Sequence, residues 1–162
     1  MRIIGVTGGV GSGKSAVLNY LEEHFDSRVV KADEVGHLLM MPGRECYEPI
    51  IELFGEWVVK EIERSRKEET EFFFIEAALL LEEKYDEICD EVWYIYCEKE
   101  VRKERLRHDR GYSDEKIESL MKNQLSEEEF ESRCDFQIYN SEDVAYTYLQ
   151  IERRMRMYYE FM

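Results

Sequence analysis

Residues 8–15 read Gly8-Gly9-Val10-Gly11-Ser12-Gly13-Lys14-Ser15. They fit G-x-x-x-x-G-K-[ST], the spacing of a loop that binds the phosphates of a nucleoside triphosphate. The flanks suit that reading. Arg2-Ile3-Ile4-Gly5-Val6-Thr7 is a short apolar run expected to form a buried strand, and Ser15-Ala16-Val17-Leu18-Asn19-Tyr20-Leu21 opens a helix. A strand, a glycine-rich turn and a helix start gather several backbone N–H groups around one anion. Glycines let that backbone adopt angles a Cβ forbids and approach the phosphates closely. Lys14 is expected to reach the β- and γ-phosphates, and Ser15 to offer its hydroxyl to Mg²⁺. Binding of ATP or GTP, with the choice open, is the base of the reading.

Outward from the loop, strands and helices alternate. Arg28-Val29-Val30-Lys31 predicts a second short strand leading to Ala32-Asp33. A helix is expected over 34–41, a second over 47–54 and a charged third over 57–67. Phe72-Phe73-Phe74-Ile75 is a continuous apolar run, the pattern of a parallel strand buried on both faces. It ends at Glu76 and leads to a turn or short helix over 77–83. Glu91-Val92-Trp93-Tyr94-Ile95-Tyr96-Cys97 is rich in aromatic and β-branched residues and predicts another strand. An arginine-dense helix follows over 98–108. Ser113 is expected to cap the next helix, and Ser126-Glu127-Glu128-Glu129 fits a capping box. Residues 135–139 read as a last strand and 141–159 as a terminal helix. Parallel strands joined by helices make a three-layer α/β fold with right-handed crossovers. Its ligands bind beyond the carboxyl ends of the strands. The loop, Asp33 and Glu76 all fall at such ends and are expected to converge.

A chain of 162 residues with this pattern is expected to be one domain. Its formal net charge of −15 argues against nucleic-acid and anionic-membrane partners, which reward a basic surface. Cys46, Cys89, Cys97 and Cys134 form no C-x-x-C pair and no zinc spacing with histidine. Reduced thiols and the lack of a long apolar run lead to the expectation of a cytoplasmic protein.

Phosphoryl transfer needs a phosphate cradle, a metal, a base for the attacking hydroxyl and cations for the transferring group. Asp33 is the candidate base, just beyond the second strand, which is expected to lie adjacent to the loop-bearing first strand; it equally suits the N-cap of the helix that follows. Glu76 is the candidate Mg²⁺ carboxylate, with a strand-end cap as the other reading. Arg102, Arg105, Arg107 and Arg110 lie on or just after one helix. A lid of this type closes over a triphosphate and neutralises developing charge. The alternative is pairing with Glu98, Glu100 and Glu104. His37 could line the acceptor pocket.

With these residues in view, the chain resembles the dephospho-coenzyme A kinase family. The loop within Ile4-Gly5-Val6-Thr7-Gly8-Gly9-Val10-Gly11-Ser12-Gly13-Lys14-Ser15 is close to that family's version. Val29-Val30-Lys31-Ala32-Asp33 resembles its D-A-D element, and Glu76-Ala77-Ala78-Leu79-Leu80-Leu81-Glu82 its P-L-L-F-E element. Arg105-Leu106-Arg107 and the stretch from Gly111 to Gln124-Leu125-Ser126 resemble the lid. Cys134-Asp135-Phe136-Gln137-Ile138-Tyr139-Asn140 resembles the A-D-x-x-I-D-N segment near the adenine. The resemblance implies a P-loop kinase fold that uses ATP and Mg²⁺ to phosphorylate the ribose 3′-hydroxyl of dephospho-coenzyme A. It implies Lys14, Asp33, Arg105 and Arg110 as catalytic residues, Asn140 with the loop 8–15 at the nucleotide, and Ser15 and Glu76 at the metal. It also implies a nucleotide core over about 1–33, 70–97 and 134–162, an acceptor-binding helical region over about 34–69, and a lid over about 98–133. Lys31, Ala16, Ala78 and Tyr139 depart from the family's usual residues. The chain is also a few dozen residues shorter, the loss falling at 58–60, within the acceptor region. The acceptor's identity, a kinase of another small molecule, a nucleotide-binding regulator without activity, and self-association therefore stay open.

Overall fold

Four consecutive large side chains, Phe72-Phe73-Phe74-Ile75, suit a strand covered on both faces. In the computed structural model all four are fully buried, and their strand lies inside a five-stranded parallel sheet. The structure describes residues 1–31, 47–77, 80–82 and 84–161, with 47–54 and 161 as backbone. The strands are β1 Arg2–Thr7, β2 Ser27–Lys31, β3 Phe72–Glu76, β4 Glu91–Tyr96 and β5 Phe136–Tyr139. The helices are α1 Lys14–His24, α2 Tyr47–Lys67, α3 Lys99–Arg110, α4 Asp114–Lys122, α5 Glu127–Arg133 and α6 Val144–Phe161. The helix expected over 34–41, with His37, lies outside the described residues, as do Asp33, Cys46, Ala78 and Leu79.

The sheet runs β2-β3-β1-β4-β5. Alternation along each strand sends side chains to two layers. On one face Ile4, Val6, Phe74, Trp93 and Ile138 pack with Val17, Leu18 and Leu21 of α1 and Ile151 and Met155 of α6. On the other, Ile3, Val30, Phe73 and Ile75 meet Val58 and Ile62 of α2, while Val92 and Tyr94 meet Phe130 of α5. This is the three-layer α/β arrangement expected from the alternation.

Two expectations are corrected. β2 does not lie beside β1; β3 is inserted between them. The reason is burial. β3 is buried along its whole length, whereas Ser27, Arg28 and Lys31 of β2 are only partly covered or exposed. A short strand with charged side chains is suited to a sheet edge. The second correction concerns 47–67. The two helices expected there are one helix, α2, running straight through Gly55. A mid-helix glycine costs about 1 kcal/mol but does not force a break. Val58, Ile62 and Ser65 keep the helical spacing beyond it and are all buried.

Local signals elsewhere hold. Ser113 Oγ accepts from the Lys116 amide (3.3 Å), and Ser126 and Glu129 form a reciprocal capping box. The terminal helix starts at Val144 rather than 141. Ser141 is engaged elsewhere, its Oγ accepting from the Glu98 amide ahead of α3 (2.8 Å).

At the amino end of β4, remote from the loop, Glu91 is only 6% exposed. Its Oε1 accepts from Trp93 Nε1 (2.9 Å) and from Arg154 Nη2 (2.5 Å). Its Oε2 accepts from the Tyr158 hydroxyl (2.6 Å). Burial, and the bond to that carboxylate, push the Tyr158 pKa up to about 12. Removing one partner of a buried ion pair leaves the other uncompensated. Glu91→Ala is therefore expected to destabilise the fold by about 3 kcal/mol in urea unfolding. An unchanged midpoint would show that this network contributes little.

Candidate active site

β1 delivers the chain to the loop at Thr7, and α1 begins at Lys14. Gly13 stands between them with φ +88°. It caps the helix in left-handed backbone, and a Cβ there would collide with Asn140 Nδ2. The first amides of a helix have no intrahelical acceptor and carry the positive end of its dipole. Here that end opens on a cavity of about 460 Å³. Gly8 and residues 10–15 form one wall. Lys31 and Glu76, at the ends of β2 and β3, form another. Arg105, Asp109 and Arg110 of α3, with Leu120 and Gln124, complete it.

The ammonium of Lys14 donates to Gly8 O (2.8 Å) and lies 3.9 Å from Glu76 Oε1. Register explains the second contact: β3 pairs with β1, placing Glu76 opposite Val6. Glu76 and Lys14 thus meet on the cavity wall that Ser15 also lines.

The loop is braced from behind. Asn140 Nδ2 donates to Ser12 O (2.6 Å), and the Thr147 hydroxyl donates to Asn140 Oδ1 (2.7 Å). Arg105 Nη1 makes longer contacts to Ser12 O (3.5 Å) and Cys97 Sγ (3.4 Å). Burial raises the Cys97 pKa, with Arg105 pulling it the other way. On the opposite side Val10 bonds to both Arg102 and Gln124.

The structure therefore gathers Gly8, Val10, Gly11, Ser12, Gly13, Lys14, Ser15, Glu76, Arg105 and Arg110 around one space. Gly9 faces the Arg102 guanidinium instead. Asn140 is buried behind the loop with its amide oxygen and nitrogen both bonded, supporting the backbone from below. Asp33 lies outside the described residues; Lys31, two positions earlier, is on the wall. Arg107 turns outward to Asp114 (2.6 Å). Sequence reasoning gave no role to Gln124 or to Arg102 as a separate element. Arg102 was visible only as one arginine of a helix, and Gln124 only as part of the lid segment.

The residues present fit a polyphosphate with its metal. The wall combines a helix start, an ammonium and two guanidinium-bearing residues. Ser12 Oγ is buried there with no hydrogen-bond partner among the described residues. Among the described residues no group of three or more His, Cys, Asp or Glu could hold a metal ion. The oxygens of Ser15 and Glu76 on the wall suit Mg²⁺, which binds through one or two protein oxygens plus phosphates and water.

A parallel sheet of this order, with a glycine loop and its lysine at the carboxyl end of the central strand, defines a phosphate-loop kinase fold. A solved structure with this fold, a dephospho-CoA kinase from Campylobacter jejuni, superimposes with a TM-score of 0.65 at 17% identity and covers 100% of both chains. The sequence carries the assignment further. The dephospho-CoA kinase family model matches residues 2–64 and 57–145, and the chain belongs to that family. A dephospho-CoA kinase of Prochlorococcus marinus is 26% identical over 88% of this chain and 89% of its own length. One from Streptococcus mutans is 27% identical over 96% of each. That alignment extends over 192 positions although this chain has 162 residues, so the relative carries residues lacking here. The two stretches of the family model overlap at 57–64, inside α2. The match to the family model breaks into two where this chain forms one unbroken helix.

Proposed function

We propose that this chain transfers the γ-phosphate of ATP to the ribose 3′-hydroxyl of dephospho-coenzyme A, giving coenzyme A and ADP. Membership of the family and the shared cavity of loop, Lys14, Glu76, Arg105 and Arg110 support this reading. Among the described residues no helix is long and apolar enough to cross a membrane. The proposed compartment is the cytoplasm.

The loop amides and Lys14 hold the β- and γ-phosphates, and Arg105 and Arg110 face them from α3. Ser15 and Glu76 would hold Mg²⁺, which would supply charge neutralisation for the transferring group. Asp33 takes the proton of the 3′-hydroxyl as its oxygen bonds to γ-phosphorus. The bond from γ-phosphorus to the β,γ-bridging oxygen breaks, and ADP leaves with the electron pair. Closure of the α3–α4 segment keeps water from competing as acceptor. In this reading the nucleotide core is 1–33, 70–97 and 134–162, the acceptor region 34–69 and the lid 98–133. Asn140 serves the nucleotide through Ser12.

The single observation that carries the proposal is the convergence of Lys14, Glu76 and the α3 arginines on one cavity at the loop. A coupled assay for ADP release with ATP, Mg²⁺ and dephospho-coenzyme A tests it. Acceptor-dependent turnover is expected. ATP binding without transfer to that acceptor would reject the substrate and direct a screen toward smaller hydroxyl acceptors, consistent with the shortened region around α2.

A further inference from the structure

Burying a guanidinium is costly unless its N–H groups are all directed to acceptors. Arg102 is 8% exposed, and burial lowers its pKa from the ordinary arginine value. It lies behind the loop, off the cavity wall, against Gly9, where a side chain would collide with it. Its Nε donates to Val10 O (2.9 Å) and its Nη2 to Gln124 Oε1 (2.9 Å). The same Gln124 oxygen accepts from the Val10 amide (3.0 Å). Three residues from the loop, from α3 and from just beyond α4 thus form a closed triangle.

We infer that Arg102 and Gln124 form a clamp on Val10 that keeps the loop shaped for phosphate and ties it to the α3–α4 segment. The physical need is specific. A polyphosphate is repelled by carbonyl oxygens, so a loop that binds it must turn them outward. Arg102 holds one such carbonyl on the far side, and Gln124 fixes the amide of the same residue. Arg102 is a positioning residue acting through Val10. Because the clamp joins the loop to the segment proposed as the lid, movement of that segment is transmitted to the phosphate cradle. This inference rests on the loop being a triphosphate site.

Hydrogen–deuterium exchange of the ligand-free protein, with ATP titration by calorimetry and a melting curve for each variant, tests it. Arg102→Ala and Gln124→Ala are each expected to speed exchange of the loop amides, Val10 included, about tenfold or more, the order of a lost hydrogen bond to a charged group. Each weakens ATP binding about tenfold, seen in turnover as a raised KM with kcat changed less than about threefold. The double variant should be no worse than the worse single, because the two act as one unit. Gln124→Glu should keep loop protection, since its oxygen still accepts both bonds. Arg102→Lys should fall between, because one ammonium lacks the guanidinium's fork. Unchanged loop exchange in both alanine variants overturns the clamp. So do fully additive effects, or faster exchange spread equally through the sheet. Exchange is read without nucleotide, so failure of the wild type to bind ATP would sink the site reading separately while the clamp is still decided.

Discussion

Lys14→Ala is expected to reduce phosphoryl transfer by about 10²–10³-fold or more in kcat, with ATP affinity also lowered. The expectation follows from position. The ammonium sits on the loop carbonyl Gly8 O, 3.9 Å from Glu76 Oε1, at the wall where β- and γ-phosphates would lie. A charge placed where negative charge spreads in a transition state contributes about 2.7–4 kcal/mol in a water-poor site. In the ligand-free protein the same ammonium also stands beside the buried Glu76 carboxylate, so its removal should lower the melting temperature as well. A steady-state assay at saturating ATP, paired with a melting curve, checks both halves. Activity near wild type would refute the placement of the nucleotide.

Asp33→Asn is the second large effect. A carboxylate acting as general base contributes about 10²–10⁴-fold, and an amide cannot take the proton. The variant is expected to lose that much kcat while its ATP Kd stays within about twofold, since the loop supplies nucleotide affinity. Lys31 on the cavity wall brings the end of β2 to the site, which supports the assignment. Retained turnover would move the base role elsewhere. Weakened ATP binding with the same loss of rate would make Asp33 a structural cap rather than a base.

The residues missing relative to the family give the family assignment its particular interest. Relatives carry residues that this chain lacks, and the interruption falls within α2. The helix runs on across the join, and Val58 and Ile62 beyond it are buried against Val30, Phe73 and Ile75. The nucleotide side does not depend on that stretch: its loop, Glu76 and α3 come from other parts of the chain.

How much was legible in the residues differs by element. The loop was readable to the residue because each position answers a local demand: left-handed backbone at Gly13, a cation at Lys14, a hydroxyl at Ser15. The capping box at Ser126 was readable for the same reason, its two bonds spanning three positions. The continuous apolar run of β3 marked a buried strand, and Glu76 was found from its end.

Local pattern alone, then, determined that a phosphate loop links a strand to a helix, that parallel strands alternate with helices, and which side chains terminate them. Only the folded chain decided that β3 separates β2 from β1, that α2 is unbroken, and that Arg102 and Gln124 meet at Val10. Caps and loop angles depend on neighbours a few residues apart. Strand order and the clamp depend on which of several distant elements is best buried against another; residues 10 and 124 carry no local trace of their meeting.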